Sequence, residues 1–93
     1  MTNSITLTVN QISLLRHTIG LIDIKNVKNR VYKAYRNYFC SNGKHFDFEY
    51  LCKLGVCVHG ECVKQGRDVY VYYHLTSAGA KLLSNYLGIT ITI

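Results

Sequence analysis

The chain reads as an α+β domain in which three helices lead into a β-hairpin and a fourth helix comes after it. Three observations predict this. Apolar residues recur at helical spacing over 9–19, again from residue 24, and again over 76–87. Two runs rich in β-branched and aromatic residues, Val56–Lys64 and Val69–Leu75, flank Gln65-Gly66-Arg67-Asp68, a glycine-containing loop. The length of 93 residues suits one core, so residues 1–93 are expected to form a single domain.

Taken in order, Ile5-Thr6-Leu7-Thr8-Val9 alternates apolar residues with Thr and reads as a short strand, with Thr8 also placed to cap a helix starting at Val9. From Val9 the spacing of Ile12, Leu15 and Ile19 predicts a first helix over 9–19, ended by Gly20. Asp23 offers a second N-cap, and Ile24, Val27, Val31 and Ala34/Tyr35 mark one face of a second helix. Asn37–Cys40 reads as extended or irregular, and Ser41-Asn42-Gly43 is turn chemistry. Asp47 caps a short third helix running to Leu54, with Phe48, Leu51 and Cys52 inward and Gly55 closing it. In the second hairpin strand Val69, Val71, Tyr73 and Leu75 share one face, and Tyr70, Tyr72 and His74 share the other. Thr76 caps a fourth helix, whose Ala80, Leu83 and Leu87 form an apolar seam ended by Gly88. The tail ITITI alternates again and is expected to pack as an edge strand, within the chain or across a homodimer.

The net charge is +6, and its distribution is uneven. Residues 25–36, KNVKNRVYKAYR, hold Lys25, Lys28, Arg30, Lys33 and Arg36 with no acid among them. The first 22 residues contain only Arg16 as a formal charge. A basic block of that kind attracts phosphate or an acidic protein surface. Joined by Arg16, Lys44 and the hairpin residues Lys64 and Arg67, it is the candidate polyanion site. Tyr32, Tyr35, Tyr38 and Phe39 interleave with it, as suits backbone tracking with occasional base stacking. The plainer reading makes those aromatics core and the cations a solvated face. For Arg36-Asn37 the favoured role is structural, hydrogen bonding to backbone carbonyls.

The four cysteines, Cys40, Cys52, Cys57 and Cys62, are expected to be reduced thiols. Spacing argues against zinc, because neither Cys52-x4-Cys57 nor Cys57-x4-Cys62 is the tight CxxC knuckle of a structural site. In a regular strand Cys57 and Cys62 would also face opposite sides. No nucleophile elbow, phosphate loop or metalloprotease helix is present, so neither enzymatic activity nor a cofactor is expected. No apolar run nears the roughly 20 residues of a membrane span, and Met-Thr-Asn-Ser opens no export signal. A cytoplasmic location is the resulting expectation.

The stretch LCKLGVCVHGECVKQGRDVYVYYHLTSAGAKLL resembles the second half of MarR- and PadR-like winged helix-turn-helix domains. Leu51, Gly55 and Val56 match the Leu-x-x-x-Gly-hydrophobic step into the hairpin. Leu75, Thr76, Gly79, Leu82 and Leu83 match the Leu-Thr-x-x-Gly-x-x-Leu-Leu step out of it. The resemblance implies three helices, a two-stranded wing, a C-terminal helix and contact with double-stranded DNA. Lys25, Lys28, Arg30, Lys33 and Arg36 would neutralise phosphates, and Lys64 and Arg67 would reach the minor groove or backbone from the wing. One departure is plain: the first turn of the third helix, Asp47-Phe48-Glu49-Tyr50, carries two carboxylates that repel phosphate where such domains read the major groove. LRHTIGL, YRNYF and HLTSAGAKLL look like small uncharacterised proteins of bacteriophages and prophages, through Leu15, Arg16, Gly20, Tyr35, Arg36, Asn37 and Phe39. That resemblance implies a bacterial host cytoplasm and a role as regulator or accessory factor. The alternative is a protein-binding module that captures a host protein through Tyr70, Tyr72 and His74, since exposed tyrosines make strong interface anchors.

Overall fold

Three helices and five strands succeed one another in the computed structural model, which describes residues 5–23 and 27–93. They are α1 (Val9–Thr18), β1 (Val31–Lys33), β2 (Phe39–Asn42), α2 (Phe46–Lys53), β3 (Cys57–Gln65), β4 (Asp68–Leu75), α3 (Ser77–Leu87) and β5 (Thr90–Thr92). The architecture is α+β, with an antiparallel sheet ordered β2-β4-β3 and a separate parallel pair, β1-β5.

Helix α1 starts where its cap dictates. Thr8 Oγ1 accepts from the Gln11 amide at 3.1 Å, and the Thr8 amide donates to Gln11 Oε1 at 3.0 Å, a reciprocal capping box. Residues 5–8 are not the expected strand. Their backbone is held by α3 instead: the Tyr86 hydroxyl accepts from the Leu7 amide at 2.8 Å and donates to the Ile5 carbonyl at 3.1 Å. Leu15 and Ile19 are fully buried, and Gly20 turns the chain with φ +75. A Cβ at Gly20 would lie 2.6 Å from the Tyr35 ring, so the aromatic rests on bare backbone.

The second helix expected after Asp23 is absent from the described part of that segment; Ile24 and Lys25 lie outside the described residues. Asn29 and Arg30 adopt left-handed φ of 55 and 57, which ends any helix, and Val31–Lys33 is a strand. It pairs in parallel with the tail, Val31 opposite Thr90, Tyr32 opposite Ile91 and Lys33 opposite Thr92. The alternating tail supplies a ladder partner from far along the chain, and a β-branched and aromatic run takes it. The tail strand therefore pairs within its own chain.

The hairpin is the predicted one with two differences. Its loop is a two-residue turn at Gly66-Arg67, because Gln65 and Asp68 pair with each other. It also has a third strand, since β2 pairs with β4 along Phe39–Asn42, so the hairpin is not the expected lone two-stranded ribbon. Alternation along β4 sends Val71, Tyr73 and Leu75 into the core with Phe48, Leu51, Leu15, Ile19 and Leu83. Phe39, Phe48 and Tyr73 stack in a row, with ring centroids 4.6 Å and 4.9 Å apart.

Helix α2 begins two residues before the expected start, at Phe46. His45 is its N-cap and gives no side-chain bond. Asp47 instead sits in the first turn and accepts from Asn10 Nδ2 at 3.1 Å and Gln11 Nε2 at 3.4 Å, tying α2 to α1. Gly55 ends the helix with φ +79. Helix α3 matches expectation at both ends, with Thr76 as N-cap and Gly88 left-handed at φ 68. The Thr76 hydroxyl accepts from the Gly79 amide at 3.0 Å and donates to the Gly55 carbonyl at 2.6 Å. Gly79 permits the join: a Cβ there would lie 2.1 Å from the Val56 carbonyl oxygen. No helix among the described residues is long and apolar enough to cross a membrane.

Candidate nucleic-acid interface

The predicted cations fall into three groups rather than one helical face. Lys64 lies opposite Val69, whose carbonyl accepts from the Gly43 amide at 2.7 Å. This brings Lys44, the next residue, to the end of the sheet that carries Lys64 and the turn residue Arg67, all three exposed. Lys28, Arg30 and Lys33 are exposed on β1 and the turn that enters it. None of these six forms a salt bridge with a carboxylate among the described residues. Lys25 lies outside the described residues.

Arg36 stands apart. It is half-buried, donates from Nη2 to the His17 carbonyl at 2.6 Å, and lies 5.8 Å and 5.7 Å from the Tyr35 and Tyr38 ring centroids. A cation at that carbonyl opposes the negative end of α1. Arg16 works at the same corner, donating to the Leu21 and Ile22 carbonyls at 3.2 Å and 2.9 Å. Asn37 acts as a strand extension: Nδ2 donates to the Leu75 carbonyl at 2.9 Å, and the Leu75 amide donates to Oδ1 at 2.7 Å.

The acidic first turn of α2 is committed internally. Asp47 is held by Asn10 and Gln11, and Glu49 Oε2 accepts from the Tyr73 hydroxyl at 2.6 Å and lies 2.7 Å from His59 Nε2. These two hydrogen bonds, Tyr73 first and His59 second, hold the Glu49 carboxyl below its ordinary value. Burial, then the bond to Glu49, pushes the Tyr73 phenol up to about 12. Both carboxylates of the α2 first turn are thus committed to partners within the fold.

Tyr70, Tyr72 and His74 emerge on the outer face of β4, opposite the core, and no helix among the described residues covers them. A groove of about 490 Å³ runs there, lined by Asn37, Tyr38, Glu61, Val63, Tyr72 and His74. A smaller cleft beside it, about 200 Å³, is lined by Cys40, Val63, Gln65, Tyr70 and Tyr72. His74 Nδ1 lies 2.6 Å from the Asn37 carbonyl oxygen. The Tyr72 phenol is raised, first by the Cys40 thiol beside it and to smaller degrees by burial, Tyr38 and Glu61.

Sequence reasoning missed Glu61, Val63 and Asn37 as groove residues. The register of β3 against β4 shifts between His59 and Cys62, a bulge at Gly60-Glu61. A Cβ at Gly60 would meet His74 Nε2 at 2.4 Å, so the bulge also makes room for the imidazole. An isolated glycine inside a strand pattern was the available signal. The strand is not regular, so the opposite placement of Cys57 and Cys62 expected for a regular strand does not hold, and no tight turn at His59-Gly60 sets them opposite each other either. They pair with Leu75 and Val71 respectively, Cys57 buried and Cys62 exposed.

All four cysteines are free thiols, and burial, then Cys52, pushes the Cys57 thiol up to about 12. Such a thiol is unreactive at neutral pH. No group of three or more His, Cys, Asp or Glu among the described residues is placed to hold a metal ion. Comparison with protein-family models, curated proteins and solved structures finds no match for this chain.

Proposed function

We propose that this protein is a small binding module of phage or prophage origin, without chemistry of its own, that contacts double-stranded DNA as a regulator or accessory factor. One observation carries the reading: Lys44, Lys64 and Arg67 lie at the hairpin end of the sheet, exposed and outside salt bridges among the described residues. Lys28, Arg30 and Lys33 add a second exposed group on β1. The winged plan enters in reduced form, with α2 leading into a β3-β4 wing that β2 extends, and with strand β1 where a further helix was expected. Because the acids of α2 are engaged inside the fold, the wing and β1 make the contacts in this reading, mostly to phosphate. Affinity therefore falls steeply with salt, and each lost phosphate contact lowers the slope of log K against log salt by about 0.9.

The test is fluorescence anisotropy with a labelled duplex at several salt concentrations. Lys64→Ala and Arg67→Ala are expected to flatten the slope, each by about one unit. A salt-independent interaction, or no binding to duplex at all, overturns the reading.

A second reading, capture of a host protein, is favoured by the uncovered outer face with Tyr70, Tyr72 and His74. Recovery of a discrete partner from bacterial lysate after nuclease treatment would support it over the first.

A further inference from the structure

We infer that the outer-face groove is a seat for an unpaired nucleobase bearing an exocyclic amine, so that the module binds single strands through a surface distinct from its duplex-binding cations. The inference rests on the nucleic-acid reading above but uses different residues, and the two fail separately.

The groove's polar groups decide its ligand. The Asn37 carbonyl can only accept, so the 2.6 Å contact places a proton on His74 Nδ1. In the neutral ring Nε2 is then an acceptor, and Glu61 adds a carboxylate to the same lining. A groove with these acceptors calls for N–H donors. Its aromatic wall, Tyr38 and Tyr72, has ring centroids 6.2 Å apart with planes tilted by 51°, too close to admit a flat ring between them. They form one side on which a flat ring stacks, and the volume of about 490 Å³ holds a group of nucleobase size.

Charge selects among flat donors. A guanidinium from a partner protein could also stack on tyrosine and donate to Glu61. Arg36 already lies against the Tyr38 ring, and the chain carries +6, so a second cation is repelled there while a polyanion is drawn in. Glu61 in turn keeps phosphate out of the groove, leaving the strand's backbone to the rim. A duplex hides its base faces in the stack, whereas an unpaired strand can present one. Cytosine N4, adenine N6 and guanine N2 amines each bring two N–H donors to these acceptors, whereas an unpaired thymine brings only its single N3–H.

The experiment is anisotropy of the intact protein with labelled dC, dA and dT 12-mers and a hairpin duplex. The dC and dA strands are expected to bind about five- to tenfold tighter than dT. Tyr72→Leu should weaken dC binding about tenfold while leaving duplex binding unchanged, and Tyr72→Phe should restore it. Glu61→Gln should narrow the dC-over-dT preference. Melting curves of each variant establish that the fold is retained. Equal affinity for all three strands, or no effect of Tyr72→Leu, overturns the inference while duplex binding stands. Displacement of dC by an arginine-rich peptide that Tyr72→Leu abolishes would reassign the groove to a cationic protein segment and overturn it too. Loss of duplex binding alone defeats the earlier reading without touching this one.

Discussion

The Tyr73 hydroxyl donates to Glu49 Oε2 at 2.6 Å and accepts from the His45 amide at 3.0 Å, joining the middle of the sheet to the start of α2. The ring is fully buried between Phe48 and the His59 edge of β3. Removing the hydroxyl leaves a carboxylate and a backbone amide each short of one partner. Tyr73→Phe is expected to lower stability by about 2 kcal/mol at pH 7, measured by urea unfolding. The same group shapes the alkaline limit. Its folded value, about 12, lies above the ordinary 10.0, so the neutral phenol is the form the fold holds. The stability this brings is complete below pH 10 and is lost as pH rises to about 12. Tyr73→Phe should show a flatter decline over that window.

Glu49 governs the opposite limit. Its carboxyl is lowered from 4.5, chiefly by the Tyr73 bond and next by His59. Stability from this group is complete above pH 4.5 and is lost as pH falls through the lower folded value. Glu49→Gln should be less stable at pH 7 and should show a shallower acid limb. The check is the unfolding midpoint at several pH values from neutral down to strongly acid. An acid limb identical to that of the unsubstituted protein would remove Glu49 from the account.

The joint between hairpin and α3 rests on Thr76 and Gly79. Thr76→Ala removes the cap to the Gly79 amide and the donor to the Gly55 carbonyl, at a cost of about 1 kcal/mol. Gly79→Ala is more severe. Its Cβ would stand 2.1 Å from the Val56 carbonyl oxygen, itself bonded to the Thr76 amide at 3.0 Å, so backbone must move. The expected loss is about 2–3 kcal/mol by thermal or urea unfolding, against the usual gain from replacing a helical glycine with alanine.

Those same residues show why parts of the fold are legible in the chain. Thr8, Gly55, Thr76 and Gly88 act within a turn of themselves, so their chemistry marks α1, α2 and α3 before any tertiary contact is known. Alternation in Tyr70-Val71-Tyr72-Tyr73-His74 likewise separates core from outer face directly. The segment holding Val31 could not be read this way. Its apolar spacing also fits a helix, and what decides against one is a tail strand far away in sequence, together with left-handed Asn29 and Arg30. The groove depended on a register shift: without the Gly60-Glu61 bulge, the position of Glu61 relative to Tyr72 and His74 is not defined by alternation. Arg36, counted from sequence with the basic block, proved to be bound to the His17 carbonyl, nearer to the structural role favoured for Arg36-Asn37.

The tail strand provides the remaining prediction. Ile91 is 8% exposed, lies opposite Tyr32, and has its amide bonded to Ser84 Oγ at 3.0 Å. On its two sides the Thr90 amide donates to the Arg30 carbonyl at 2.7 Å, and the Ala34 amide donates to the Thr92 carbonyl at 2.8 Å. Since β1 has no other strand partner among the described residues, it depends on β5 for its ladder. Ile91→Ala should cost about 2 kcal/mol, and deleting 89–93 should cost more, because backbone bonds go with the side chain. Both changes should also raise hydrogen exchange over 30–34 before the three-stranded sheet is affected, because the two sheets are separate. Lys28, Arg30 and Lys33 would then sit on a loosened segment. A lower duplex affinity in the Ile91→Ala protein, with the exchange of β3 and β4 unchanged, would tie the β1 cations to the proposed interface independently of the hairpin end.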